Sequence, residues 1–163
     1  MSVSMNSAIN AVKEMFKNND WSYDFNEEKT LFTTTFNLSK SKLGSVRIMI
    51  RVRPTAADAN AARLIVGYGL ISLKGDSDCM AQVCEYLTRA NYGLNIGNFE
   101  LDHRDGEIRY KVAINCRDAL PGMDALEDLC GITTAMYNKY GNGLLAVCMG
   151  MMSAEDAIKK AEE

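Results

Sequence analysis

Between Asn91 and Cys116 the chain reads NYGLNIGNFELDHRDGEIRYKVAINC, alternating apolar and polar residues on either side of Asp105-Gly106. Asp-Gly is a two-residue hairpin signal, because a type I′ turn needs positive φ at both central positions, which Gly adopts freely and Asp tolerates. A turn there sets the register: Arg104 faces Glu107, Asp102 faces Arg109 and Glu100 faces Lys111, so one face carries three opposite-charge pairs. Each pair of this kind contributes roughly 0.2–1 kcal/mol. The other face holds Phe99, Leu101, Ile108, Tyr110, Val112, Ile114 and Cys116. A slip of one residue would send that whole set into water. The chain therefore contains an antiparallel hairpin with one buried face.

The remaining elements follow from the same periodicities. Met5, Ile9, Val12 and Phe16 recur at helical spacing, opposite Lys13, Glu14 and Lys17, and Asn18-Asn19-Asp20 ends that helix. Trp21, Tyr23 and Phe25 alternate with polar residues as in a strand. Phe32, Thr34, Phe36 and Leu38 form the next strand, and Val46, Ile48, Ile50 and Val52, alternating with Arg47, Met49, Arg51 and Arg53, pair back on it up to Pro54. Thr55 to Ala62 fits either a loop or a short helix. Arg63 to Leu73 is apolar on both faces and reads as an interior strand covered on both sides, or else as an intersubunit strand, with Gly67 and Gly69 allowing another element to approach its backbone. Asp76 and Ser77 cap a helix carrying Met80, Val83, Cys84 and Leu87. Pro121 and Asp124 open a third helix, which Gly141-Asn142-Gly143 is expected to break or kink. Ser153 N-caps a short last helix, with Asp156 at the capping-box position. The expected fold is α+β in the order α-β-β-β-β-α-β-β-α-α, an antiparallel sheet of about five to six strands flanked by helices.

A chain of 163 residues, 47% hydrophobic and 24% charged, is ordinary for one globular domain, which buries about 70% of its unfolded surface. A net charge of −3 supplies no field attracting a phosphate backbone, so nucleic acid is not an expected partner. The N-terminus lacks a basic region followed by an apolar run, and no uncharged stretch is long enough to span a bilayer. A cytoplasmic protein is expected. Cys79, Cys84, Cys116, Cys130 and Cys148 form no CxxC pair and sit on the apolar sides of elements, as reduced core thiols do.

No constellation of catalytic residues stands out. His103-Arg104-Asp105 matches the opening of a kinase catalytic loop, but the downstream Asn, the Gly-rich loop and the DFG are missing. Asp102, Asp105 and Glu107 lack the spacing of an EF-hand loop. One histidine and unclustered cysteines do not make a zinc site. GxSxG, P-loop, GxGxxG and HExxH motifs do not occur. A non-enzymatic protein without metal or cofactor is expected. Two groups remain as candidate contact surfaces: Arg47, Arg51 and Arg53, projecting from one face of a strand as a solvated face and edge defence or as a surface for an acidic partner, and Met149, Met151 and Met152, crowding the run before the last helix. Methionine is adaptable enough to serve as core filler or as a pliable binding surface.

The text ANYGLNIGNFELD followed by DGEIRYK, with SAEDAI after a long interrupted helix, resembles the YbjN family of bacterial proteins. The order of elements is similar to the type III secretion chaperone-like fold. Where that family is expected to have Ser-Pro-Glu-Glu, this chain has Ser153-Ala154-Glu155-Asp156, keeping the cap and losing the proline. The resemblance is concentrated between about Leu87 and Cys116 and between Tyr137 and Ile158. It implies a non-enzymatic bacterial regulator or chaperone-like module that binds a protein or peptide client, as a homodimer. It carries over no site residue, because the matching positions mark turns and core. The alternative is a small-ligand-binding domain with a pocket between sheet and helices.

Overall fold

The computed structural model describes residues 2–163. It contains α1 (Met5–Asn18), β1 (Asp24–Asn26), β2 (Leu31–Asn37), β3 (Ser45–Pro54), β4 (Ala62–Lys74), α2 (Met80–Tyr92), β5 (Asn98–Leu101), β6 (Glu107–Asn115), α3 (Met123–Cys148) and α4 (Ala154–Glu162). This is the expected α+β order. The strands form one antiparallel sheet in the order β1-β2-β3-β4-β6-β5, so its two edges, β1 and β5, are its shortest strands. Short edges offer little unpaired backbone to another chain.

The core lies between one face of this sheet and the helices. Phe32, Ile48, Ile50, Val52, Ile65, Ile108, Tyr110 and Val112 point into it and meet Val12, Phe16, Tyr86, Leu126, Leu129 and Tyr137 of the helices. Gly67 and Gly69 sit where α3 crosses β4. A Cβ at Gly67 would stand 3.3 Å from Leu129 Cδ2, and one at Gly69 would overlap Thr133. Their missing side chains let the long helix lie close to the sheet.

Several expectations are corrected. Among the described residues, β4 is covered by helices on one side only: its inner residues pack on α3, while on the opposite face Leu64, Tyr68 and Leu70 are half-exposed and Val66 between them is buried. The strand expected at Trp21–Phe25 shrinks to three paired residues. Trp21 is instead held by the end of α1, its N–H bonding Phe16 O, while the Tyr23 ring stacks on Phe16 at 4.6 Å. Residues 55–62, which the sequence leaves open between loop and short helix, are mainly a loop, with Asp58 N–H bonding Thr55 Oγ1 and Thr55 N–H bonding Ala61 O, and β4 begins at Ala62. In place of Asp76 and Ser77 the N-cap of α2 is Cys79, and the Asp76 carboxylate caps the turn before it by accepting from the N–H groups of Asp78 and Cys79.

Gly141-Asn142-Gly143 does not interrupt α3, which runs as a single helix of 26 residues. These residues accommodate neighbours: a Cβ at Gly141 would overlap Ser41, and one at Gly143 would overlap the Tyr86 hydroxyl. Asn142 also accepts from Lys42 N–H and donates to Lys40 O, docking the β2–β3 loop on the helix. The last cap is as expected, Ser153 Oγ accepting from Asp156 N–H at 3.1 Å.

The hairpin of β5 and β6 keeps its expected faces but shifts its register by two residues. Glu100 lies opposite Arg109, Leu101 opposite Ile108 and Asn98 opposite Lys111. The loop is therefore His103 to Gly106, closed by Asp102 N–H to Glu107 O and by Gly106 N–H to Asp102 O. Gly106 alone takes positive φ there, at 73°. The acidic side chains favour this longer loop, since Asp102 accepts from Arg104 N–H and Asp105 from Glu107 N–H, each mimicking a backbone turn. The expected Arg104–Glu107 and Asp102–Arg109 pairs are replaced by Arg104–Asp102 and Arg109–Glu100. An even shift preserves which residues face the core, which is why the burial pattern is as expected.

Candidate outer-face site

With every helix on one side of the sheet, the side chains of alternate residues stand on an open opposite face. The pairing places them in rows across the strands. One row runs Thr33, Met49, Tyr68, Lys111 and Asn98; the next runs Thr35, Arg47, Leu70, Arg109 and Glu100; another runs Leu31, Arg51, Val66 and Ala113. Leu31, Met49, Tyr68 and Leu70 thus form a half-exposed apolar floor, and Arg47, Arg51 and Arg53 stand exposed around it. Together with Lys29, Arg109 and Glu107, the one carboxylate of the lining, they enclose a cleft of about 470 Å³.

Tyr68 is fixed from two sides. Arg53 Nη2 donates to its hydroxyl at 3.0 Å, and the Arg109 guanidinium lies 4.7 Å from its ring centroid, in cation–π geometry. Arg109 in turn donates to Glu100 at 2.6 Å, and Lys111 donates to the other oxygen of the same carboxylate. Burial alone would raise the Glu100 pKa, but the bonds from Lys111 and Arg109 outweigh it and leave this group below its ordinary range. Arg47 and Arg51 have no carboxylate partner among the described residues. This face is therefore basic on a chain whose net charge is −3.

The methionine group sits elsewhere. Met149 and Met151 occupy the turn between α3 and α4 and are 62% and 71% exposed, whereas Met152 packs against the core. That turn belongs to the helix layer, tied to α2 through Gln82 Oε1, which accepts from Ala154 N–H. The sheet thus separates the methionines from Arg47, Arg51 and Arg53, and the two groups do not make one site. Sequence reasoning missed Tyr68, Met49, Leu70 and Arg109 as companions of the arginines. The alternation of Arg47, Met49, Arg51 and Arg53 against Leu64, Val66, Tyr68 and Leu70 holds the signal, once β3 is paired with β4.

The notch at the hairpin tip, about 530 Å³, is walled by Glu100, Asp102, His103, Arg104, Glu107 and Arg109. Arg104, hydrogen-bonded to Asp102, holds that carboxyl well below the usual range. All five cysteines are free thiols. Burial pushes the Cys130 thiol up to about 12, and burial with the neighbouring Cys79 does the same for Cys148, so both are protonated and weakly nucleophilic at neutral pH. No helix among the described residues is long and apolar enough to cross a membrane. Compared with known proteins, the chain matches no protein-family model and no curated protein.

Proposed function

We propose that this protein is a non-enzymatic polypeptide-binding module, a regulator or chaperone-like holder of a client, which works through the open face of its sheet. The observation carrying this reading is the half-exposed floor of Leu31, Met49, Tyr68 and Leu70, apolar surface that the chain's own helices leave uncovered. The resemblance to the YbjN family points the same way. A ligand pocket between sheet and helices has less support, because Phe32, Ile48, Ile50, Leu129 and Tyr137 fill that space as core. We assign self-association to the Met149 and Met151 corner, exposed and uncharged, and light scattering with Met151→Asp tests it: a wild-type dimer that the substitution dissociates supports it, and a wild-type monomer overturns it.

The client-binding reading is tested by purifying tagged protein from its native host, with Met49→Asp and Met151→Asp variants alongside. A polypeptide retained at fixed ratio by wild type and by Met151→Asp, but lost on Met49→Asp, is the expected result. Retention unchanged by Met49→Asp, or no retained polypeptide, overturns it.

A further inference from the structure

Resting on that reading, we infer that the partner held on the outer face is an acidic segment in extended conformation, with carboxylates four residues apart and an aliphatic side chain midway between them. Arg47 and Arg51 are four residues apart on one strand face, about 13 Å at the rise of a β-strand, with Met49 between them. Both are exposed and without a carboxylate partner among the described residues. An extended partner has the same rise per residue, so its residues i and i+4 reach the two guanidiniums while i+2 lies on Met49 and Tyr68. Arg53 and Lys29 extend the positive field beyond this unit.

Charge and shape select this occupant over two others. A second copy stacked face to face about a two-fold axis through Met49 would set the Arg47 and Arg51 guanidiniums of the two copies together, and like charges across an interface are strongly disfavoured. Single-stranded nucleic acid binds on free aromatic platforms. Tyr68 is the one aromatic residue in the outer rows, and Arg109 covers its ring. Leu31, Met49 and Leu70 are aliphatic and match peptide side chains instead.

The test is fluorescence anisotropy with short labelled peptides. One repeats Glu-Thr-Leu-Thr, one repeats Lys-Thr-Leu-Thr and one repeats Gln-Thr-Leu-Thr, and an oligouridylate of similar length is the fourth probe. The expected result is saturable binding of the glutamate peptide alone, weakening as salt is raised and weakened about tenfold or more by Arg47→Glu with Arg51→Glu. Circular dichroism checks that the double variant stays folded, and Arg47→Gln with Arg51→Gln, expected to weaken binding in the same direction, provides a second variant. Equal binding of the lysine or glutamine peptide overturns the acidic partner and leaves the polypeptide-binding reading standing. Binding of oligouridylate alone overturns both, and so does the absence of binding by every probe. Binding of the glutamate peptide that neither double variant weakens overturns the assignment to Arg47 and Arg51.

Discussion

Gly141 of α3 lies so close to Ser41 of the β2–β3 loop that a Cβ on it would overlap the Ser41 hydroxyl. In the same helix Gly131 is exposed and has open space where a Cβ would stand. Gly131→Ala is therefore expected to stabilise the protein by about 0.5–1 kcal/mol, through helix propensity and unfolded-state entropy. Gly141→Ala gains the same propensity but must push Ser41 and Leu43 aside, at a cost of about 1–3 kcal/mol. Urea unfolding of both variants checks the opposite signs, and a stabilised Gly141→Ala would contradict the close approach.

The Glu100 carboxylate, shared by Arg109 and Lys111, makes stability depend on pH. Its folded pKa lies below the unfolded value, so its contribution is present above the unfolded value near 4.3 and is lost as pH falls through the folded one. Glu100→Gln is expected to cost about 0.5–1 kcal/mol at neutral pH, allowing for solvent screening. The difference from wild type should shrink toward zero below the folded pKa. Denaturation midpoints measured from neutral pH into that acid range check it, and a difference that stays constant with pH would count against the shared ion pair.

Adjacent residues of β3 face opposite sides of the sheet. Ile48 is fully buried in the core, and Met49 is half-exposed on the outer face. Ile48→Ala is expected to cost about 2–5 kcal/mol, because the helices above cannot collapse fully into the space left. Met49→Ala should cost less than about 1 kcal/mol. Thermal unfolding of the two variants reads the contrast, and equal losses would mean that something covers the outer face.

The thiols should differ in reactivity. Cys130 is buried with its pKa pushed up to about 12, and Cys116 is buried with its pKa raised, whereas Cys84 is half-exposed. Alkylation of the native protein at neutral pH, followed by peptide mass spectrometry, should modify Cys84 first and leave Cys116 and Cys130 unmodified until unfolding. Early modification of Cys130 would contradict its burial.

Local pattern determined the order of elements, the inner and outer faces of each strand, and the Ser153 cap, because these depend on periodicity and on contacts a few residues apart. It misjudged the hairpin loop by two residues. Asp105-Gly106 fits a tight turn locally, whereas the Asp102 and Asp105 side chains and the packing of Gly106 against Gly75 favour a longer one. Gly141 and Gly143 look like helix breakers for the same reason: their purpose is space for Ser41 and Tyr86, which are far away in sequence. Whether β4 was covered on one face or two could not be read from its composition, since an apolar residue fits a buried face and a half-exposed one alike. Only the tertiary structure put all four helices on one side, brought Tyr68 and Arg109 beside Arg47 and Arg51, and separated them from Met149 and Met151. Those relationships arise from strand pairing and helix packing between residues far apart in the chain, where no local pattern reaches.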